Sequence, residues 1–182
     1  MVQPTKMIFM GASSPTLQVA VTDQVALVKI SGRASFNCSV QFKTLVYHLR
    51  DRGYQKFVLD LTDCIIMDST FLGVLAGFGL KLSESAPARP AVNLLNLNQR
   101  ILDLLENLGV AHLFGIAQGT DPLSEQCRDV HPTNGAPSKL ETTRACLEAH
   151  ELLMNINPAN IPKFKDVTRF MAEDLKRLEA HT

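Results

Sequence analysis

The sequence lacks an excess of charge of either sign, and it lacks any long hydrophobic run. Its 18 basic and 18 acidic side chains cancel, so bulk charge does not favour nucleic acid or an anionic membrane as a partner. No apolar segment approaches the roughly 20 residues that span a bilayer. The opening segment MVQPTKMIFMGASSPT has only a four-residue apolar run, which is too short for a secretory signal. We therefore expect a cytoplasmic protein.

The sequence also lacks clustered ligands for a metal ion. Its cysteines and histidines are scattered and form no CxxC pair: Cys38, Cys64, Cys127, Cys146, His48, His112, His131, His150 and His181. Widely spaced cysteines suit a reducing compartment. Cys146 and His150 are one helical turn apart, but two ligands do not complete a site. We expect there an exposed histidine beside a half-buried thiol, and no metal.

Motifs of common enzymes are missing as well. The GFG at residues 77–79 lacks the flanking pattern of a dinucleotide-binding loop, and we expect these small residues to let their helix pack close to a sheet. Met67 and Phe71 stand where a serine nucleophile elbow would place glycines around Ser69. We predict that the protein is not an enzyme and binds no cofactor.

Strands and helices alternate over residues 1–118, which we assign to one domain. LQVAVTDQVALVKISG predicts a β-hairpin, and SVQFKTLVYHLRDRGY has helical spacing of its apolar residues. KFVLDLTDC predicts a central strand, residues 68–83 a buried helix, and AVNLLNLN, QRILDLLENLGV and AHLFGIA a strand, a helix and a strand. The fold class is α/β, with a mixed, mostly parallel sheet covered by helices.

Two further segments follow this domain. Residues 119–138 are rich in Pro, Gly, Ser and Thr and predict a linker or loose loop. Residues 139–182 predict a C-terminal helical hairpin, with Ser138 and Glu141 forming a capping box. The stripe of Phe164, Phe170 and Met171 needs cover, so the hairpin should dock on the first domain or on a second copy, as a homodimer.

Asp68, Ser69 and Thr70 form the one polar break in the apolar stretch IIMDSTFLGVLAG. The break precedes a predicted helix, where a side-chain oxygen can accept a hydrogen bond from an otherwise unpaired amide of the first turn. Such a cap stabilises a helix by about 1 kcal/mol. From the residues alone, a structural cap is the favoured interpretation of Asp68 and Ser69.

Residues 16–118 resemble the STAS domain, the fold of bacterial anti-sigma factor antagonists. The resemblance rests on the order of elements and on VLDLTDCIIMDSTFLGVLAG at residues 58–77. This segment is similar to the family signature: a strand ending in Asp or Asn, then Asp-Ser-Ser/Thr, Gly, an aliphatic residue, Gly and another aliphatic residue. The serine that the family phosphorylates falls on Ser69, and Thr70 is the alternative hydroxyl.

The resemblance implies a phosphorylation switch. An unmodified antagonist binds an anti-sigma factor that is also a serine kinase, phosphorylation breaks the complex, and a PP2C-type phosphatase resets it. Asp68 would cap the helix and position the hydroxyl, and Asp60 would line the same surface. The switch requires that the Ser69 hydroxyl be solvent-accessible.

This sequence departs from the family at two positions. Phe71 replaces the glycine that follows the hydroxyl pair, so it would hinder a kinase or form part of a different partner surface. Arg33 lies in a loop where relatives are often acidic, and it would pair with Asp68 or with a phosphate, or remain solvated. The alternative function is a STAS scaffold or binding module of a transporter, a lipid-trafficking complex or another assembly, in which Ser69 is only a cap.

Overall fold

The computed structural model describes residues 15–85, 90–131 and 135–180. The predictions for the opening segment, residues 1–14, and for the last two residues of the C-terminal segment lie outside this part of the chain. So does a piece of the predicted linker, residues 132–134.

A mixed sheet forms the centre of the molecule. Strands β1 (Thr16–Val21) and β2 (Val25–Ala34) pair as an antiparallel hairpin. Strands β3 (Lys56–Asp60), β5 (Val92–Leu95) and β6 (Gly115–Ala117) then extend the sheet in parallel from β2. The described strands follow the order β6-β5-β3-β2-β1-β7, and this confirms the predicted mostly parallel sheet with its antiparallel hairpin.

Two short strands were not expected. The sequence placed the end of a single strand at Cys64, but β3 ends at Asp60 and a separate strand, β4 (Cys64–Met67), pairs in parallel with the last residues of β2. In the segment interpreted as a loose loop, residues Pro122–Gln126 form a 3₁₀ turn and β7 (Arg128–Asp129) pairs with β1. This segment therefore packs on the β1 edge of the sheet and on the sheet face opposite the main core.

In the described part of the chain, five α-helices accompany the sheet. They are α1 (Phe36–Asp51), α2 (Ser69–Ser85), α3 (Gln99–Leu108), α4 (Lys139–Ile156) and α5 (Ile161–Glu179). The main core contains side chains of β1–β5 together with α1, α2 and α3, and α2 is the most deeply buried helix among them. Gly109 ends α3 in the left-handed conformation that glycine commonly adopts after the last turn of a helix (φ 72°). The capping box of Ser138 and Glu141 also forms as expected.

The C-terminal hairpin docks on the first domain through α4, which packs along α2. Gly73 and Gly77 lie at this contact: a Cβ on Gly73 would be 2.6 Å from both Cβ and the carbonyl oxygen of Ala149, and one on Gly77 would be 2.9 Å from Cδ2 of Leu152. The small residues at 77–79 were expected to let α2 approach the sheet. Gly79 does lie against Phe114, the residue before β6, where an added Cβ would be 2.9 Å from Cε1 of that ring, whereas Gly73 and Gly77 let α4 approach α2.

A buried asparagine, Asn160, holds the turn between α4 and α5 in place. Asn160, which is fully buried, donates from Nδ2 to the carbonyl oxygens of Leu108 and Leu153, both at 2.9 Å. Because Leu108 is the last residue of α3, this side chain supplies a partner for an otherwise unpaired helix-terminal carbonyl. The turn between α4 and α5 is thereby fixed to the end of α3.

The helix contact predicts unequal effects of two matched substitutions. Gly73→Ala should lower the free energy of unfolding by roughly 1–3 kcal/mol, because the new methyl group meets the backbone of Ala149, which cannot move aside. Gly77→Ala should be nearly neutral, since it meets only the end of a flexible leucine and gains up to about 1 kcal/mol in helix propensity. Urea denaturation measures both, and equal losses would contradict the assigned contact.

Candidate functional site

Asp68 joins the N-termini of two helices. Its Oδ1 accepts from the backbone amide of Phe71 in the first turn of α2, and its Oδ2 accepts from the amide of Phe36 at the start of α1, both at 2.8 Å. The parallel pairing of β2 with β4 places Ala34 opposite Met67, so both strands end at the same edge and both helices begin there. The predicted cap of α2 is confirmed, and the bond to α1 is an addition that the sequence did not reveal.

Ser69 is the first residue of α2, and the hairpin touches it. Its side chain is half-buried, and its Oγ lies 2.9 Å from Nε2 of His150 on α4. Nδ1 of His150 lies 2.7 Å from the carbonyl oxygen of Cys146, which can only accept, so Nδ1 carries a proton. In the neutral imidazole, Nε2 is therefore the acceptor and the Ser69 hydroxyl donates to it. The expected open hydroxyl is half-covered and already hydrogen-bonded.

His150 was not singled out for this role. We expected an exposed histidine, but only 4% of its surface is exposed, and its ring meets the ring of Phe164 on α5 edge-on at 4.8 Å between centroids. Cys146 is also buried rather than half-buried. The signal in the sequence was the pair of small residues at 145 and 149, which matches the glycines at 73 and 77 and marks the face of α4 that meets α2.

Thr70 and Phe71 turn inward. Thr70 is 5% exposed and its hydroxyl donates to Sγ of Cys146 at 3.6 Å, so it is not an accessible alternative to Ser69. Phe71 has no exposed surface, and its ring lies 4.7 Å from that of Phe42 in the core. The interpretation of Phe71 as part of a partner surface was wrong, because at this point of α2 it faces the core beneath α1.

Asp60 lies on the other face of the sheet. Successive strand residues point to opposite faces; Leu59 joins the main core, whereas the Asp60 carboxylate accepts from the hydroxyls of Thr62 (2.6 Å) and Ser124 (2.9 Å). Burial acts to raise the pKa of this carboxyl, but the hydrogen bonds outweigh burial and lower it. Asp60 thus fastens the 3₁₀ turn to the sheet and does not line the Ser69 surface.

Arg33 remains outside the site. Its side chain is exposed, and none of the described ion pairs joins it to Asp68, whose two oxygens are occupied by helix amides. The predicted loop at this position was wrong, because Arg33 lies in β2 and its backbone pairs with that of Ile66 in β4. Of the predicted site residues, the structure therefore brings together only Asp68, Ser69 and the buried Thr70, and it adds His150 and Cys146 from α4.

The described part of the chain contains neither a cluster of metal ligands nor a helix that could span a membrane. Over residues 15–85, 90–131 and 135–180, no group of three or more His, Cys, Asp or Glu side chains is arranged to hold a metal ion. None of the described helices is long and apolar enough to cross a bilayer.

The fold is that of a STAS domain. Comparison with protein families matches residues 16–123, more than half of the chain, to the STAS domain, and the protein belongs to this family. Among proteins of curated function, none matches the sequence significantly.

The solved structures that are similar to this one include two anti-sigma factor antagonists. The anti-sigma factor antagonist SpoIIAA in its unphosphorylated form is 15% identical, with a TM-score of 0.50 over 60% of this chain and 93% of that one. An anti-sigma factor antagonist from Mycobacterium paratuberculosis is 17% identical, with a TM-score of 0.50 over 62% of this chain and 93% of that one. Identities this low show a shared fold, and α4 and α5 form an extension beyond the matched family region.

Removal of the shared cap should weaken both helix starts. We expect Asp68→Ala to lower the free energy of unfolding by about 2 kcal/mol, because two caps are lost at ~1 kcal/mol each. Asp68→Asn should cost about half as much, since one amide oxygen remains to accept. Urea denaturation and hydrogen exchange at the amides of Phe36 and Phe71 measure the effect, and unchanged exchange at Phe36 would contradict the double role.

Asp60 should make stability depend on pH. Its lowered pKa means that the ionised form stabilises the fold above the usual value of about 3.9, and that this contribution is lost as the pH falls through the lower folded value. Asp60→Asn should therefore lower the free energy of unfolding by about 1–2 kcal/mol at pH 7 and by less at pH 3. Asp63→Asn is the matched control, because its exposed pair with Lys29 contributes only about 0–1 kcal/mol. An Asp60→Asn difference that does not depend on pH would refute the assignment.

Proposed function

We propose that this STAS protein is a cytoplasmic, non-catalytic regulator of the anti-sigma factor antagonist type, switched by phosphorylation of Ser69. The observation that carries the proposal is the position of Ser69: it opens α2 directly after the carboxylate that caps two helices. The partners would be an anti-sigma factor that is also a serine kinase, and a PP2C-type phosphatase. A homodimer through α4 and α5 is part of the proposal, supported by Phe170, of which 59% is exposed.

The start of a helix is a tolerant place for a phosphate. In the reaction, the Ser69 Oγ forms a bond to the γ-phosphorus of ATP, the bond to ADP breaks, and the hydroxyl proton leaves to a base of the kinase. The phosphate brings about −1.5 to −2 charges at neutral pH. The aligned peptide dipoles of α2 favour a negative charge at this end by about 0.3–1 kcal/mol. The domain can therefore accept the modification without refolding.

A partner would respond more strongly than the domain does. Beside Asp68, the phosphate would make this end of α2 more negative. Two like charges about 4 Å apart near a surface repel by up to ~4 kcal/mol at an effective dielectric of about 20, so an acidic group of a partner at that distance would be repelled to that extent. Such a loss weakens a complex by nearly a thousandfold.

Kinase assays test this proposal. Incubation with an anti-sigma factor/serine kinase of the source organism and ATP should add a single phosphate, seen by mass spectrometry, and Ser69→Ala should abolish it. Ser83→Ala is the matched control, because Ser83 lies on the same helix and donates to the carbonyl oxygen of Gly79. A Ser69→Ala protein that is modified to the same extent would refute the assignment.

One observation favours a second candidate. The Ser69 hydroxyl is engaged by His150, which is what a structural cap in a STAS scaffold or binding module would show. Pull-down of partners with Ser69→Asp separates the two functions: loss of binding supports the switch, and unchanged binding supports the scaffold of a transporter, lipid-trafficking or other assembly.

A further inference from the structure

The hairpin of α4 and α5 covers the surface that the proposed switch would use. Helix α4 packs on the Gly73 side of α2, and Ala149 is only 3% exposed at this contact. At the start of α2, His150 and Cys146 hold the hydroxyls of Ser69 and Thr70. A kinase or partner approaching Ser69 from this side meets α4 first.

The hydrogen bond of Ser69 is incompatible with an ester at the same oxygen. Phosphorylation removes the only proton of Oγ, so the modified serine can no longer donate to Nε2 of His150. The Cys146 carbonyl keeps the neutral imidazole in the tautomer whose Nε2 is unprotonated. As long as the imidazole is neutral, its Nε2, which is buried against Phe164, would be left without a donor.

The hairpin makes other polar contacts with the first domain. The ion pair of Lys43 with Glu148, at 2.7 Å, is largely exposed, and exposed pairs of this kind contribute little to docking. The buried amide of Asn160 holds the turn after α4 on the carbonyl oxygen of Leu108, away from the start of α2. At the start of α2, the contact of His150 with Ser69 is therefore the polar contact through which a modification could most strongly loosen α4.

We propose that the C-terminal hairpin is an internal occupant of the Ser69 surface, and that its docking excludes both phosphorylation of Ser69 and binding of a partner there. The inference rests on the proposed function for the identity of the surface. The docked chain is the closed state, a phosphate on Ser69 opens it, and a kinase or partner reaches Ser69 only when α4 has moved away.

The thiol of Cys146 reports on this opening without any partner. It is 7% exposed beneath the hairpin contact, and burial raises its pKa, so it should react slowly with N-ethylmaleimide in the closed state. Chain carrying genetically encoded phosphoserine at position 69 should be labelled at Cys146 on the order of tenfold faster than unmodified chain. Mass spectrometry of peptides gives the rate for each cysteine.

Two controls separate opening from unfolding and from charge alone. Cys64 is 3% exposed in the sheet and burial raises its pKa to about 11, so its labelling should stay slow unless the whole domain unfolds. Phosphoserine in place of Thr120, an exposed residue after β6, adds the same charge at a remote site and should leave Cys146 slow. Equal or slower labelling of Cys146 with phosphoserine at 69 would overturn the proposal, because the hairpin would then accommodate the phosphate.

A reversible covalent lock tests the other direction. Thr70→Cys places a thiol where the hydroxyl now lies 3.6 Å from Sγ of Cys146, so oxidation can join α2 to α4. The anti-sigma factor/serine kinase should phosphorylate Ser69 in the reduced protein. It should phosphorylate Ser69 in the oxidised protein at least ~10-fold more slowly. The variant with both Thr70→Cys and Cys146→Ala cannot form this bond and should be insensitive to oxidation.

The outcomes distinguish this inference from the function on which it rests. If neither form is phosphorylated, the proposed function fails, and the labelling of Cys146 still decides whether phosphoserine opens the hairpin. If the oxidised and reduced forms are phosphorylated equally fast, Ser69 is a substrate with the hairpin docked, and the internal occupant is refuted.

Discussion

The Asp68 carboxylate is the constraint on which the rest of the site depends. Two parallel strands, β2 and β4, end side by side, and each is followed at once by a helix whose first amides need acceptors. One side chain supplies both acceptors, at 2.8 Å each. It thereby fixes where α1 and α2 begin, and it places Ser69 at the exact junction of the sheet edge, the helix start and α4.

The C-terminal hairpin changes what a STAS domain of this kind can present. Its contact with α2 is mainly steric and apolar, because Ala149 packs directly on Gly73, and Leu153 of α4 is fully buried. Full burial of one such leucine stabilises by about 1.5–3 kcal/mol. A molecule that displaces α4 must offset several contacts of this size, which a second protein covering the same helix face would do.

The sequence was a good guide to the architecture and a partial guide to the site. Alternation of strands and helices, the glycine after α3 and the capping box at Ser138 follow from local chemistry, and local chemistry is visible in sequence. The reach of Asp68 to α1 depends on the β2–β4 pairing, and the burial of His150 depends on which face of α4 meets α2. Asp60 was misplaced because strand parity, which sends its carboxylate to the opposite face, was not applied to it.

The route of the chain between the two parts has a kinetic consequence. After β6, residues 122–126 pack on the sheet face opposite the main core. Strand β7 then pairs with the outer edge of β1, and the chain continues into α4. Nine residues, 130–138, connect β7 to α4, and a connection this short gives an intramolecular contact an effective concentration on the order of millimolar. Any molecule that arrives from solution therefore competes with a helix that is attached to the same chain. Because redocking of α4 is intramolecular, its rate would not depend on how much of the protein the cell contains.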